Sequence, residues 1–557
     1  MSVISNSEIS TRTIKVFFSS ISDAFLIPLK QLPRVLFHGL ILATIICGFW
    51  LLDSLKDPIL TKFVGIEFQP VAKFCSVLTT LIVVCVYDFS TSLVSKQTLF
   101  HIIAFIFGML VLIMAAELGD PETGLSSSKS SAIDKGPHRI IGWVCYFTIE
   151  AYGSLMVALF WSFTNSIMNL EEAKGAYGLI ISIAQIGAMI GSTLATNATE
   201  IGIPQLFLVG SMTIFLVSIL IKMYSLVFRD EAIGAVVERL LGSSHDGFDA
   251  AAPVAGKTQD ASGEKTFLAH STDLCRGFYE GLTLIMTYRY VQYLLGISCL
   301  YEIAITVLDY EFKLLGADSI TRTSTVASTS KIYDAATDSN RFANLLGHFG
   351  QLTNFLSFII SFFGFSFLVH KIGVRYTLVV FPTILFVSVV ITNLAPSFWV
   401  LFITVSVLKA LIFSLNEPVK ELLYIPTSDQ IKFKAKAWID VFGSRLAKGI
   451  GSAITAMAAG NFNTLRNISE LPCLAVALLM IVLSWTLGTE FLRLIKENII
   501  IGGGMDPHGD KLLPVRNGLR PGDVGYDGYD MDLFEGVFED DERGGVEMTK
   551  YPILNSI

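Results

Sequence analysis

"IFSLNEPVKELLYIPTSDQIKFKAKAWIDVFGSRLAKGIGS", residues 412–452, decides how this chain is read, because its pattern occurs once before, as "FWSFTNSIMNLEEAKGAYGLIISIAQIGAMIGS", residues 160–192. In both, an aromatic-Ser segment leads to an asparagine, Asn165 or Asn416. A polar loop containing Ala-Lys follows, ending in Lys174 or Lys436, and then a helix that closes on Gly-Ser. A unit repeated half a chain apart in the same direction implies two parallel halves.

Composition sets the solvent in which those halves fold. Of 557 residues 52% are hydrophobic and only 16% charged, and the mean hydropathy is +0.61. That is far above a soluble protein, and the apolar runs have the roughly 17 to 25 residues that a ~30 Å hydrocarbon core asks of a helix. They centre near residues 44, 80, 106, 151, 186, 215, 294, 360, 385, 407, 452 and 483. A lipid-exposed backbone must satisfy its own hydrogen bonds, and the short alternating segments of a membrane barrel are not present. The expected fold is therefore an all-α polytopic membrane protein of about twelve transmembrane helices in two six-helix halves, with the major-facilitator-like arrangement whose substrate site lies near the midplane. The polar stretch "GFDAAAPVAGKTQDASGEK" from residue 247 separates the halves. The expected organisation is a cytosolic N-terminal arm over 1–35, a half over 36–228, a central cytosolic linker over 229–280, a half over 281–496 and an acidic disordered cytosolic tail over 497–557.

Lys and Arg in short loops orient the spans. Arg12, Lys15, Lys30 and Arg34 precede the first span, Arg229, Arg239, Lys257, Lys265 and Arg276 lie in the central connection, and Lys371 and Arg375 join the eighth to the ninth. With twelve spans these groups and the cluster in 420–436 fall on one side, so both termini are expected in the cytosol. The sequons at Asn197 and Asn467 fall on the other. The formal net charge of −8 belongs to the tail: residues 523–557 hold ten carboxylates against Arg543 and Lys550, which leaves 38 acids and 38 bases elsewhere. Residues 1–23 lack the apolar core of a secretory signal and read as a solvated arm, with an organellar transit segment as the alternative. The tail reads as solvated chain, with a docking motif as the alternative. The sequence does not distinguish a plastid or other organelle envelope from a plasma membrane.

Enzymatic chemistry ranks last. The seven cysteines form neither a disulfide framework nor a metal pattern, and there is no Ser/His/Asp arrangement, Walker loop or nucleic-acid patch. What stands out is cationic charge inside an apolar chain: residues 420–454 carry six Lys or Arg against three acids. Arg445 and Lys448, three apart, share one helix face. Glu150 lies within the fourth span, where a carboxylate costs on the order of 3 kcal/mol to insert. Arg289, between two tyrosines in "TYRYVQY", either meets an anionic cargo or snorkels in an aromatic belt. Lys432 and Lys434 read as orientation charges, and Gly187, Gly191, Gly449 and Gly451 as sites of close helix packing.

The stretch "KELLYIPTSDQIKFKAKAWIDVFGSRLAKGIGS" resembles the Lys-Glu-x-x-Tyr-Ile-Pro, Lys-x-Lys-Ala-x-Ile-Asp and Gly-x-Arg-x-Gly-Lys pattern of the non-mitochondrial ATP/ADP translocases of plastids and intracellular bacteria. "SLKDPILTK" at 54–62 resembles their first-span Lys-Asp signature, and "IEAYGSLMVALFWSFTNSIMNLEEAKGAY" at 149–177 their fourth span. The resemblance implies that ATP, ADP or a related nucleotide is the cargo, that Lys56 and Lys420 are functional lysines and that Glu150 is a functional acid. Asp57, Asn165, Asn416 and Glu421 stand in or beside the same motifs as supporting residues. Two departures are visible: the family's Glu-Val-x-Trp-Lys in the seventh span is replaced by "YEIAITVLDYEFK", which displaces Glu302 and leaves no Trp, and Ala447 stands for the Gly of Arg-x-Gly-Lys.

A cargo with roughly three to four negative charges explains a basic site in a low-dielectric cavity. Arg meets phosphate as a fork and Lys as a point charge. The sequence thus leads to a carrier of adenine nucleotides working by alternating access, either by exchange or by net import, in a lipid bilayer, with no cofactor or nucleic acid and no indicated partner protein. The alternatives are a proton-coupled carrier of another organic or phosphorylated anion and a non-transporting membrane adaptor that works through its tail.

Overall fold

The computed structural model describes residues 29–94, 96–120, 124–125, 135–167, 170–228, 279–327, 335–361, 365–428, 430–497, 499–502 and 510–512. Most of the N-terminal arm, nearly all of the central linker and most of the acidic tail lie outside the described residues. The first half comprises α1 (Leu32–Phe63), α2 (Gln69–Leu93), α3 (Lys96–Gly119), α4 (Ile140–Ile167), α5 (Leu170–Thr196) and α6 (Ile203–Val227). The second comprises α7 (Arg289–Ala327), α8 (Ala335–Ile359), α9 (Phe365–Leu394), α10 (Phe398–Leu423), α11 (431–456) and α12 (Phe462–Glu497). A short antiparallel ribbon, Ile499–Ile501 with Asp510–Leu512, follows α12.

Local chemistry places the boundaries. Proline stands in the first turn of α1, α2 and α6, where its missing N–H has no intrahelical partner to lose. Gly65 and Gly202, with φ of 129° and 91°, let the chain reverse before α2 and α6. Gly373, φ 79°, breaks α9 between Lys371 and Arg375, so the eighth span turns into the ninth at the short basic loop expected there. In α10 the turn Ile412–Asn416 is π-wound just ahead of Pro418, whose ring cannot continue the ordinary hydrogen-bond ladder. Two more π-turns, Ile431–Ala435 and Ile439–Gly443, precede the regular helix Ser444–Ala456 that completes α11.

Each half buries its own core. Leu32 to Tyr224 form one hydrophobic cluster, which also takes in Ala343 of the second half, and Ile285 to Ile495 form the other, against which Ile66 of the first half packs. Gly187 and Gly191 of α5 lie against the α1 backbone, where a Cβ would stand 2.1 Å from the Ala43 carbonyl oxygen and 2.2 Å from that of Cys47. Small residues therefore let α1 and α5 meet backbone to backbone. Gly451 is similarly tight on Ile303 and Thr306, whereas Gly449 has ordinary room beside Phe74.

Nine helices among the described residues are long and apolar enough to cross a membrane. The three other long segments, α2, α8 and α11, pack across the boundary between halves, α2 on α11 and α8 on α5, so part of their surface meets protein and not lipid. Two positions differ from the sequence reading. The seventh span was expected near residue 294, yet α7 runs 39 residues from Arg289, about 58 Å, with its middle near Asp309. The eleventh was expected near 452, yet helix extends back to 431. In each case charged residues lie in the true span, and they pull a hydropathy maximum toward the more apolar flank.

Candidate functional site

A cavity of about 800 Å³ lies between the halves, lined from α1, α2 and α4 on one side and α7, α10 and α11 on the other. Seven cations reach it, six lysines and Arg445, against six carboxylates. The halves close over one end. There Tyr310 Oη donates to the Ile66 carbonyl oxygen at 3.2 Å, Gln351 Nε2 to Thr193 Oγ1 at 2.9 Å, Asn354 Nδ2 to Ser192 Oγ at 3.1 Å, and Asn344 Nδ2 to the Thr196 carbonyl oxygen. Gly347 and Gly350 of α8 bring that helix onto the α5 backbone at Ala195 and Thr196 and onto Ser192. Asn197 directly follows this seam, and Asn467 lies in the first turns of α12, just after Gly460, which packs on Glu67. Both sequons thus sit at the closed end, opposite the basic loops.

Beneath the seam the charges interlock. Lys56 of α1 is held by Asp53 of its own helix and by Glu150 of α4, and its ammonium lies 5.2 Å from the Tyr146 ring centre. The Asp309 carboxylate is shared by Lys313 at 2.7 Å, Lys409 at 2.6 Å and Lys73 at 3.6 Å, while Lys313 also meets Asp57 at 2.8 Å. Two of these bridges, Lys73 to Asp309 and Lys313 to Asp57, join one half to the other. Arg445 Nη2 donates to Ser154 Oγ at 2.5 Å, also across the cavity. Farther from the seam Lys420 meets Glu417 at 2.7 Å and Lys448 meets Glu302 at 3.2 Å. Tyr301 donates to Glu417 at 3.0 Å, and Lys420 stands over the Tyr301 ring at 5.8 Å. Buried charges persist only when paired and hydrogen-bonded, and nearly every cation here has a carboxylate partner. Removing one partner would leave an uncompensated charge against a low-dielectric wall.

The structure gathers Lys56, Glu150, Lys420, Arg445, Lys448 and Glu302 around one volume. Asp57 lies behind it, buried, and reaches it through Lys313. Asn416 is buried beside it, its Nδ2 without a hydrogen-bond partner. Two expectations turn out differently. Arg289 is exposed at the start of α7 and does not line the cavity, because the seventh span runs on past it. Glu421 faces outward and pairs with Lys436 at 2.5 Å. The side chain of Asn165 lies outside the described residues. Lys73, Asp309, Lys313 and Lys409 were missed by sequence reasoning. The available signal was an acid and a lysine four apart, Asp309 and Lys313, in the middle of an apolar run, a spacing that puts both on one helix face.

Comparison with known proteins agrees with this geometry. The inward-open conformation of the xylose transporter XylE from E. coli superposes with a TM-score of 0.50, covering 81% of this chain and 95% of that one at 12% identity, which is a likeness of fold. The ADP,ATP carrier protein 4 of Rickettsia conorii is 21% identical over 541 residues, 89% of this chain and 98% of that protein. The plastidic ATP/ADP-transporter of Solanum tuberosum is 23% identical over 361 residues, 61% of this chain and 51% of that protein. The family model described as TLC ATP/ADP transporter matches residues 11–494, the whole membrane body that holds the cavity, and the chain belongs to that family.

Proposed function

We propose that this protein carries ATP and ADP across a membrane by alternating access, in exchange for one another, with the cavity between the halves as the cargo site. The observation that carries the reading is the set of seven cations converging on one central volume from both halves. A nucleotide with roughly three to four negative charges is the class of solute for which such a set is suited, because fixed cations in a partly dry cavity attract it far more strongly than they would in water. The lining is unevenly divided. Four of its six aromatic side chains, Phe49, Trp50, Tyr146 and Trp161, come from the first half, offering faces to a base, while five of the seven cations come from the second.

The conformation favours exchange over net import. The halves meet at the end that carries the sequons, so the cavity faces the side of the basic loops, the cytosolic side by the positive-inside rule. Reopening the closed end requires breaking the Lys73–Asp309 and Lys313–Asp57 bridges inside the membrane. An empty carrier would have to separate those charges with nothing to replace them, whereas a bound polyphosphate supplies replacement anions. Uptake of labelled ATP into proteoliposomes tests this. Vesicles preloaded with ADP should accumulate ATP and empty vesicles should not; equal uptake into both would replace exchange with net import. Competition by unrelated organic anions as effective as that by ADP would replace the nucleotide with another cargo.

A further inference from the structure

We propose that Lys73, Lys313 and Lys409, gathered from behind by the recessed Asp309 that they share, form a subsite for the terminal phosphate of the cargo. The inference rests on the nucleotide reading above and names the part of the site that would measure phosphate number. Its ground is a difference in stoichiometry within the cavity. Lys56 has two carboxylates to itself, Lys420 has Glu417 and Lys448 has Glu302. The three lysines of α2, α7 and α10 instead share Asp309, and of the three Lys313 alone also meets Asp57, which accepts from Gln69 as well. Three positive charges meet two negative ones there, which leaves a local surplus that an anion can use.

The arrangement also has the right shape. Asp309 is the recessed member, its side chain 2% exposed, while Lys73 and Lys409 are 20% and 23% exposed toward the cavity they line. An ammonium has three donors, so each of these lysines can keep Asp309 and still offer N–H groups outward. A terminal phosphate presents three acceptor oxygens and nearly two charges, and matches three converging point donors better than any single carboxylate does. Lys409 is steadied from behind by the Phe349 ring, 5.0 Å from its ammonium. Since Lys73 belongs to the first half and the other two to the second, a phosphate here is held from both sides of the cavity.

The subsite predicts selection by phosphate number. Full-length protein is assayed by uptake of ATP and ADP, by competition with AMP, and by the melting temperature with and without inorganic pyrophosphate as a base-free probe. Lys409→Gln and Lys73→Gln should each raise KM for ATP and ADP by about tenfold or more, the loss of one charge-assisted contact, while AMP, too short to reach the triad, competes within about twofold of its original strength. Pyrophosphate should raise the melting temperature of the wild type and not of Lys409→Gln, and Lys409→Arg should restore part of both effects. Equal weakening of ATP, ADP and AMP, or no weakening in either variant, overturns the subsite while wild-type uptake leaves the nucleotide reading standing. A wild type that takes up no nucleotide but binds pyrophosphate through Lys409 does the reverse: the adenine reading fails and the phosphate subsite stands.

Discussion

Lys313 and Lys436 each sit within hydrogen-bond distance of a carboxylate, 2.8 Å from Asp57 and 2.5 Å from Glu421, yet the two pairs belong to different parts of the machine. The first is buried, with side chains 10% and 4% exposed, and links α7 to α1 across the boundary between halves. The second is open, with side chains 28% and 57% exposed, and joins α11 to α10 within one half. Distance does not separate them; burial and the boundary do. Removing one member of a buried pair strands a charge and costs about 3–5 kcal/mol, while an exposed pair is worth about 0.2–1 kcal/mol. Only the first pair has to break when the cavity changes sides.

The largest effect should come from preventing that break altogether. Ser192 and Asn354 touch across the seam and are buried. With both replaced by cysteine in a chain otherwise free of cysteine, oxidation should abolish exchange and a reductant should restore it. Full exchange after complete cross-linking would mean that the seam does not open, and the distinction drawn between the two pairs would lose its basis.

Lys420 comes next. Its side chain is only 7% exposed, it lines the cavity, and Glu417 is its partner at 2.7 Å. Lys420→Gln should cost about 1.5–3 kcal/mol of cargo stabilisation, roughly tenfold to more than a hundredfold in transport efficiency at equal membrane abundance. Lys420→Arg should recover only part, since a planar fork does not fit where a point charge stood. A third, smaller effect is expected at Asp57. Asp57→Asn removes one of the two bridges beneath the seam and leaves Lys313 with Asp309, so a population shift of about tenfold toward the opened seam is expected. Labelling of a cysteine at Ser192 by a water-soluble maleimide from the sequon side should rise accordingly. An unchanged labelling rate would assign the closure to the α5–α8 contacts alone.

How much of this could be read beforehand follows from where the charges sit. Lys56, Glu150, Lys420, Arg445 and Lys448 were legible because each falls within a motif or breaks an apolar pattern in a way that an orientation charge does not. The six-plus-six organisation was legible in the echo of 160–192 at 412–452 and in the polar stretch after residue 247. Lys73, Lys313 and Lys409 were not. Each is one lysine in a long apolar setting, and the energy that keeps it there comes from Asp309, which shares a helix face with Lys313 and which only the fold brings to Lys73 and Lys409. Hydropathy treats paired charges as if each were alone. It therefore moved the seventh span toward residue 294, promoted Arg289, and passed over the acid on which three helices converge.

 Counted along the chain, Asp309 is 236 residues from Lys73, 4 from Lys313 and 100 from Lys409. Two of the three partners therefore meet Asp309 only once the chain has folded, which is why neither motif nor spacing reveals them.

The smallest effect belongs to the exposed pair, and it tests the comparison from its weak side. Lys436 and Glu421 stand in the same cationic stretch as Lys420, and Lys436→Gln removes a charge of the same sign from the same segment. The pair lies within one half, so nothing about it changes when the halves rock. Its side chains remain in water, where screening and side-chain entropy leave about 0.2–1 kcal/mol. Lys436→Gln, like Lys432→Gln, should therefore lower uptake by no more than roughly fivefold, with most of that loss disappearing at high salt. Lys420→Gln, buried beside Glu417, should keep its defect as salt rises, because a dry site is screened far less than a wet one. The measurement is exchange by the three variants at low and high ionic strength, with equal protein in the membrane. If Lys436→Gln matches Lys420→Gln at both, burial does not rank these lysines, and the stretch acts as one field of charge instead of as a cargo contact flanked by orientation charges.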